Sequence, residues 1–466
     1  MKVMKKPLSL ILALAVLITA FAGLRLTSKT ASAATVKVWD GTADTSWFTR
    51  DDLKDVYEIY TAEQLAGLAY LCDHASTEGH PDRFRGVIIN LMNDIELNDT
   101  ANWQNWVNTP PANKWEPIGM VGDPLTGYDP FAGIFNGNGH TISGMYCKSD
   151  RNWWGWWSKV GLFDYICGAT IGNLKIEKSV VLGGEDSDTA VLAAQSENSY
   201  IDSVEISDCI IGKGSSVGAI AGSCKVETNL TTLFGYIAIT AATGMFFNPL
   251  MFLNSSGNPI ADPTAEFGGT VINNCKVSNL DVIHTGRTYY DSYVGAMAGR
   301  MSGGAVFNSI SENVTIDLDE TRKDLAGAMY ALKIDDKPVT VENCYTHNFV
   351  TVDGQPQQDA NVVKTLSKSE YLSSDLVKKL GNGFESVKNG TPIIASLKDA
   401  TLNQKIVPGD FNNSGKLEIG DVTATLKAVV YDMALDYRTF KAADMDGSGT
   451  LNINDITAML KKMVNG

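Results

Sequence analysis

The sequence predicts a mainly β fold, a right-handed parallel β-helix with an N-terminal capping helix, followed by a small all-α unit. Three observations carry this. Glycine- and asparagine-rich corners separate very short apolar runs, as in Phe131-Ala132-Gly133-Ile134-Phe135-Asn136-Gly137-Asn138-Gly139-His140-Thr141-Ile142. Two four-residue patterns recur along residues 160–344. Residues 408–466 contain the same acidic loop twice.

At the start of the chain, Lys2, Lys5 and Lys6 precede an apolar run from Leu8 to about Ala22, and Ala31-Ser32-Ala33 offers the small residues that signal peptidase reads. Residues 1–33 read as a signal peptide, so the protein is expected to be secreted and extracellular, with no membrane span in the mature chain. The apolar run is short for an uncleaved anchor. Removing it takes five basic residues from a chain of formal charge −15, leaving −20. That balance argues against nucleic acid as a partner. Seven cysteines, an odd number spread thinly, fit neither a disulfide framework nor a CxxC metal site and read as small apolar core residues.

Thr61, Ala62, Glu63 and Gln64 begin a helix as a capping box would, and Leu65, Leu68, Ala69, Leu71 and Cys72 give it one apolar face. Strand-like pieces follow at Val87–Leu91, at Ile95 and Leu97, and at Trp115–Gly119. Then Val160-Gly161-Leu162-Phe163 recurs as Thr189-Ala190-Val191-Leu192, Val217-Gly218-Ala219-Ile220, Val294-Gly295-Ala296-Met297 and, with a one-residue slip, Leu325-Ala326-Gly327-Ala328. Between these lie Ile171-Gly172-Asn173-Leu174, Ile201-Asp202-Ser203-Val204, Ile272-Asn273-Asn274-Cys275, Phe307-Asn308-Ser309-Ile310 and Val341-Glu342-Asn343-Cys344. Most steps are roughly 30 residues, the size of one coil that buries its apolar side chains only by stacking on the next. The Asn or Ser column is expected at the corners, and Cys275 and Cys344 at one inward position. The segments "VGLF", "VGAIAG" and "VGAMAG" resemble GLUG-type repeats of bacterial surface and secreted proteins over roughly residues 57–395. That resemblance implies a β-helix and leaves its function open.

One 77-residue step, Val217 to Val294, breaks the period; within it residues 228–261 carry no charged side chain. They read as an apolar insertion over the coil wall or a partner surface, since Asn248 and Pro249 interrupt a membrane span. Beyond Gly354 the pattern turns helical through Leu366, Tyr371, Leu372, Leu376, Val377 and Leu380, then Pro392-Ile393-Ile394, as expected of a cap on the open end of the coil. The domains are then 34–395 for the β-helix, 396–407 for a linker and 408–466 for the helical unit.

In that unit the first loop runs Asp410, Asn412, Ser414, Gly415, Lys416, Glu418, Asp421, and the second runs Asp444, Asp446, Ser448, Gly449, Thr450, Asn452, Asp455. Oxygen side chains fall at positions 1, 3, 5, 9 and 12, glycine at 6 for the sharp turn, and position 7 (Lys416, Thr450) offers its carbonyl. This is the ligand order of an EF-hand loop for Ca2+. Val422, Leu426, Val429 and Val430 follow the first loop at helical spacing, and Ile456, Leu460, Met463 and Val464 the second. Loop and helix twice, with Asp closing each loop and Phe440-Lys441-Ala442-Ala443-Asp444 before the second, resembles the type I dockerin of cellulosome proteins. The resemblance implies an EF-hand-like dockerin domain, two calcium ions, and a cohesin module on a scaffolding protein as partner. In that family positions 10 and 11 and the following helix choose the cohesin. Carried over, they are Ile419, Gly420, Leu426 and Lys427, and Ile453, Asn454, Leu460 and Lys461, although Leu426 and Leu460 serve equally well as core. The sequence departs from the family at position 5, where Ser replaces Asp, and at positions 10 and 11, where the Ser/Thr pair is missing.

All nine tryptophans precede residue 158, and Trp153, Trp154, Trp156 and Trp157 flank one glycine. Flat rings of this kind stack on sugars, so the loop is a candidate plant-polysaccharide platform; the alternative is a loop that packs on the coil. Carboxylate pairs such as Asp186 with Asp188, Asp202 with Asp208, and Asp317 with Asp319 read as solvated turns, and the five histidines show no ligand spacing. Catalytic residues are not assignable from order alone. The sequence therefore reads as a secreted component of polysaccharide catabolism that docks on a scaffold. Two alternatives stand beside it: a polysaccharide lyase or O-glycosyl hydrolase, and a GLUG-like adhesion module.

Overall fold

The short apolar runs pair in parallel, each with its equivalent one repeat away. In the computed structural model, which describes residues 37–119, 129–149, 159–184, 187–212, 214–225, 269–283, 292–317, 325–333, 338–352, 355–356, 363–387, 389–402, 406–431, 433 and 435–465, the chain is mainly β with parallel sheets. The predicted signal peptide and the apolar insertion 228–261 lie outside the described residues. The described strands form a 15-stranded, a six-stranded and a five-stranded sheet, beside a two-stranded pair. One repeat shows the plan: Asp188–Ala190 joins the six-stranded sheet, Ala193–Glu197 the five-stranded one, and Tyr200–Gly212 the 15-stranded one.

The register explains the sequence patterns. Val160, Thr189, Val217, Val294 and Ala326 form one column, so the apparent slip at Leu325 disappears once Ala326 takes the valine's place. The glycine after the valine is required by close approach: a Cβ at Gly218 would lie 2.3 Å from the Ala221 carbonyl oxygen, and one at Gly295 only 1.9 Å from that of Ala298. A second column runs Ile171, Ile201, Ile272, Val306, Val341. Val306, not Phe307, therefore occupies the inward position, and Ile310 leaves the interior for a separate cluster. Cys275 and Cys344 are inward and buried, and every cysteine is free and buried.

Between the apolar columns the chain turns at left-handed residues, a conformation that Asn and Asp tolerate best after glycine. Asn274, Asn308 and Asn343 form one such series, and Asp208, Asn279, Asn313 and Asn348 another, all with φ between 45° and 54°. Their amides link coil to coil. Asn343 Nδ2 donates to Asn308 Oδ1 (3.1 Å) and Asn308 Nδ2 to Asn273 Oδ1 (3.0 Å). In the second series Asn348 donates to Asn313 (2.9 Å), Asn313 to Asn279 (3.1 Å) and Asn279 to Asp208 (3.0 Å).

The predicted N-terminal helix is α1 (Ala62–Asp73). Thr61 Oγ1 accepts from Gln64 N, and Gln64 Oε1 reaches back one residue further than a capping box, to Tyr60 N. Leu65, Leu68, Leu71 and Cys72 bury its apolar face in the main core.

After the last coil the chain forms α2 (Lys368–Tyr371), α3 (Ser374–Leu380), an antiparallel pair of Phe384–Ser386 with Pro392–Ile394, and α4 (Lys398–Leu402). This segment differs from an end cap. Tyr371, Leu376, Leu380, Ile394 and Leu397 cluster with Ile310 and the half-buried Tyr345 on the face of the 15-stranded sheet opposite the main core. Pro392 O accepts from Lys276 Nζ (3.0 Å), so the segment runs back along several coils as a strap. Part of the expected linker, residues 396–402, is accordingly folded, with Leu397 buried. No helix among the described residues is long and apolar enough to cross a membrane.

Asn313 both donates and accepts within its ladder, and glycine keeps its backbone conformation without the amide. We expect Asn313→Gly to lower unfolding stability by roughly 1–3 kcal/mol, the cost of leaving its neighbours unpaired, as read by urea denaturation.

Candidate functional site

The helical unit comprises α5 (Ile419–Val430), α6 (Tyr437–Ala443) and α7 (Ile453–Asn465). Its core is small: Val422, Ile456 and Met459, with Leu417, Val429 and Met445 packed against them. Each acidic loop ends on an aspartate that begins the following helix and ties the loop closed. Asp421 Oδ1 accepts from Asn412 N (3.1 Å) and Oδ2 from Glu418 N (2.7 Å). Asp455 Oδ1 accepts from Met445 N (2.9 Å) and Oδ2 from Asn452 N (2.9 Å). The first aspartate of each loop accepts from the glycine at position 6: Gly415 N to Asp410 Oδ2 at 2.8 Å, and Gly449 N to Asp444 Oδ2 at 3.1 Å. Both glycines are left-handed, with φ of 92° and 78°. Nothing lies within 4 Å of a Cβ built on either, so backbone conformation alone calls for glycine.

The two loops differ in charge. In the second, carboxylate oxygens of Asp444, Asp446 and Asp455 lie within 4.8 Å of one another, and Asp444 Oδ1 is buried without a hydrogen-bond partner. Three converging carboxylates, one with an unsatisfied oxygen, suit a hard cation. Thr450 O and Ser448 Oγ lie at the same loop, 3.0 Å apart. Hydrogen bonds from Ser448 hold the Asp446 carboxyl below its ordinary value. The first loop pairs Asp410 and Asp421 with the neutral Asn412 and Ser414, while Glu418 Oε1 lies 3.1 Å from Lys416 Nζ. Arg438, buried on α6, donates to the carbonyls of Asp410 (2.7 Å) and Phe411 (3.0 Å), and its guanidinium lies 3.4 Å from Asp410 Oδ2. Burial raises the Asp421 carboxyl. Each loop thus carries three carboxylates, but in the first loop Lys416 and Arg438 lie beside two of them.

The residues proposed for partner contact stand in solvent. Leu426 and Leu460 are 42% and 43% exposed, outside the core, and Ile419 and Ile453 are more exposed still. Gly420, Lys427, Asn454 and Lys461 are exposed beside them. Val430, Tyr431, Met463 and Val464 add further exposed apolar side chains on or beside the same two helices.

The tryptophan loop, Trp153, Trp154, Trp156 and Trp157, lies outside the described residues, as do Asp186, Asp319 and His284. Trp39, Trp103, Trp106 and Trp115 are buried packing residues. The carboxylates read as solvated turns are partly structural. Asp202 Oδ1 accepts from Asn273 and Asn274, Asp208 from Asn279 and Asn413, and Asp188 is buried 3.5 Å from Arg300 Nη2. His74 and His80 make hydrogen bonds within four residues, His140 bonds to Asp94 and His347 to the Leu366 carbonyl.

Sequence reasoning missed Arg438, whose role needs the fold, and Asn413. It also missed Asp73. Burial, then the negative charges of Asp164, Asp129 and Glu116, push its carboxyl up to about 7. Asp73 Oδ1 is buried without a hydrogen-bond partner. A carboxyl raised in the folded state favours folding at low pH, and that contribution is lost as pH rises through about 7. We expect the melting temperature of the wild type to fall by several degrees between pH 5 and pH 8.5, and Asp73→Asn to flatten that decline, as read by thermal denaturation at each pH.

No family model matches the chain. Over 174 residues, 35% of this chain, it is 29% identical to Halomucin of Haloquadratum walsbyi, and the match spans about 2% of that protein's length. A solved structure from Bacteroides ovatus, provisionally described as an immunoglobulin A1 protease, aligns with 73% of this chain and 92% of its own, at 15% identity and a TM-score of 0.38.

Proposed function

We propose that the protein is a secreted, cellulosome-type component. Residues 408–466 act as a type I dockerin that holds two Ca2+ ions and docks on a cohesin module of a scaffold. The stacked coils form a right-handed parallel β-helix of GLUG-like repeats that contacts plant cell-wall polysaccharide. The observation that carries the docking reading is the pairing of two aspartate-closed loops with two helices whose Leu426 and Leu460 faces are exposed. A cation ordering each loop would fix the helix that starts on its last ligand, and the fixed pair would present one apolar surface.

Asp410, Asn412, Ser414, Glu418 and Asp421, with the Lys416 carbonyl, would hold one ion; Asp444, Asp446, Ser448, Asn452 and Asp455, with the Thr450 carbonyl, would hold the other. A bound ion supplies charge neutralisation and loop order. The polysaccharide reading rests on the tryptophan loop of the sequence and on the setting that a dockerin implies. Asp202 and Asp208 accept hydrogen bonds within the coil ladders, which favours a binding module over a hydrolase that would use them.

Two results test this. Asp410→Ala with Asp444→Ala is expected to abolish calcium-dependent capture on immobilised cohesins; retained capture would end the dockerin assignment. Leu426→Ser with Leu460→Ser is expected to weaken capture at least tenfold while calcium binding, measured by calorimetry, stays as in the wild type.

A further inference from the structure

The two halves of the duplicated unit are unequal in a way that their ligand order does not show. At loop position 4 the second half has Gly447, left-handed with φ of 68°, where glycine is at ease. The first half holds the same conformation, φ of 59°, with Asn413. Its side chain is used. Asn413 Nδ2 donates to Asp208 Oδ2 at 2.9 Å, and both residues are buried. Asp208 is the left-handed residue that ends the ladder of Asn348, Asn313 and Asn279, so Asn413 extends that ladder from the coils into the acidic loop.

The surrounding surface is shaped for the same loop. Trp103 Nε1 donates to the Asn413 carbonyl (3.2 Å) and Gln104 Nε2 to that of Asn412 (2.8 Å), both from a short 3₁₀ turn, Trp103–Asn105. Asn279 Nδ2 also donates to Asp436 Oδ2 (3.1 Å), the aspartate that caps α6. A cavity of about 20 Å³, room for one water, remains between Lys175, Glu205, Asp208, Lys276, Asp436 and Arg438. Asp410 is 1% exposed in this seat, whereas Asp446, Ser448, Gly449 and Thr450 of the second loop face solvent. Among the described residues, the hydrogen bonds of the second loop's side chains stay within that loop.

We infer that the halves are divided in function: the first loop is a latch that seats the helical unit on the long sheet through Asn413 and Asp208, its calcium affinity linked to that seat. The second loop binds its ion independently. This rests on the calcium reading above and adds its regulation. Seating fixes the backbone of Asn412 and Asn413, so part of the ordering cost of cation binding is already met in the first loop. Linkage is reciprocal, and an ion that orders the loop strengthens the seat by the same factor.

The test uses the mature full-length chain and Asn413→Gly, which gives the first loop the second loop's residue, keeps the left-handed backbone and removes only the bond to Asp208. Calcium binding is measured by calorimetry, and hydrogen exchange is followed over residues 200–212 and 410–421 with calcium and with chelator. The wild type is expected to bind two ions, and Asn413→Gly to weaken one site about tenfold, within the usual range of coupling between sites, while sparing the other. Chelation is expected to raise exchange in both segments of the wild type. Gln104→Ala, a milder change outside the loop, is expected to shift the same site in the same direction. Two bound ions with affinities unchanged in both variants would overturn the latch alone, as would exchange in 410–421 indifferent to chelator. A wild type that binds no calcium would overturn the calcium reading and the latch with it.

Discussion

In-register parallel stacking is the constraint on which the rest of this structure depends. Each coil has too few apolar side chains to bury a core alone, so like residues must meet like residues from coil to coil. That fixes the corners as tightly as the core. At Gly218 and Gly295 there is no room for a Cβ, though Ala190 stands in the same column one repeat earlier, and the left-handed columns through Asn279 and Asn313 need a side chain that tolerates the conformation and still pairs along the stack. An amide does both, since it donates to one neighbour and accepts from the other. The ladder is therefore a chain of satisfied polar groups, and its end at Asp208 is a ready acceptor for another donor.

The face opposite the core carries the second constraint. Lys175, Glu205, Lys276 and Glu312 are buried there, beneath the strap and α6. Burying charge is costly unless it is paired, and here the pairs are close: Lys175 to Glu177 at 3.0 Å, and Lys276 to Glu312 at 2.8 Å. Burial alone would lower the Lys276 ammonium, but Glu312 and Glu205 outweigh it and hold it above the ordinary lysine value. Such a face cannot be left half covered. It accounts for the returning strap, whose Pro392 carbonyl accepts from Lys276, and for the helical unit lying against the coils instead of swinging on a free linker.

Much of this was legible in the sequence because periodicity reports burial. The valine and isoleucine columns, the corner asparagines, α1 and the two acidic loops were all readable from spacing. The frame at Phe307 was misread because Phe307-Asn308-Ser309-Ile310 fits the repeated four-residue pattern, and only pairing partners place Val306 in the column. The strap was legible as helices but not as a return path, since the same apolar spacing serves an end cap and a side cover. Leu426 and Leu460 fit a helix core by period; the short core of the unit leaves them outside. Asn413 was missed, because its meaning needs Asp208, 205 residues away.

The central claim is that residues 408–466 bind two calcium ions, and native mass spectrometry of residues 34–466 with limiting and then saturating calcium tests it most directly. The account predicts a species with two ions at saturation, reduced to one by Asp444→Ala. A chain that takes up no calcium, or whose uptake is unchanged by that substitution, would contradict it.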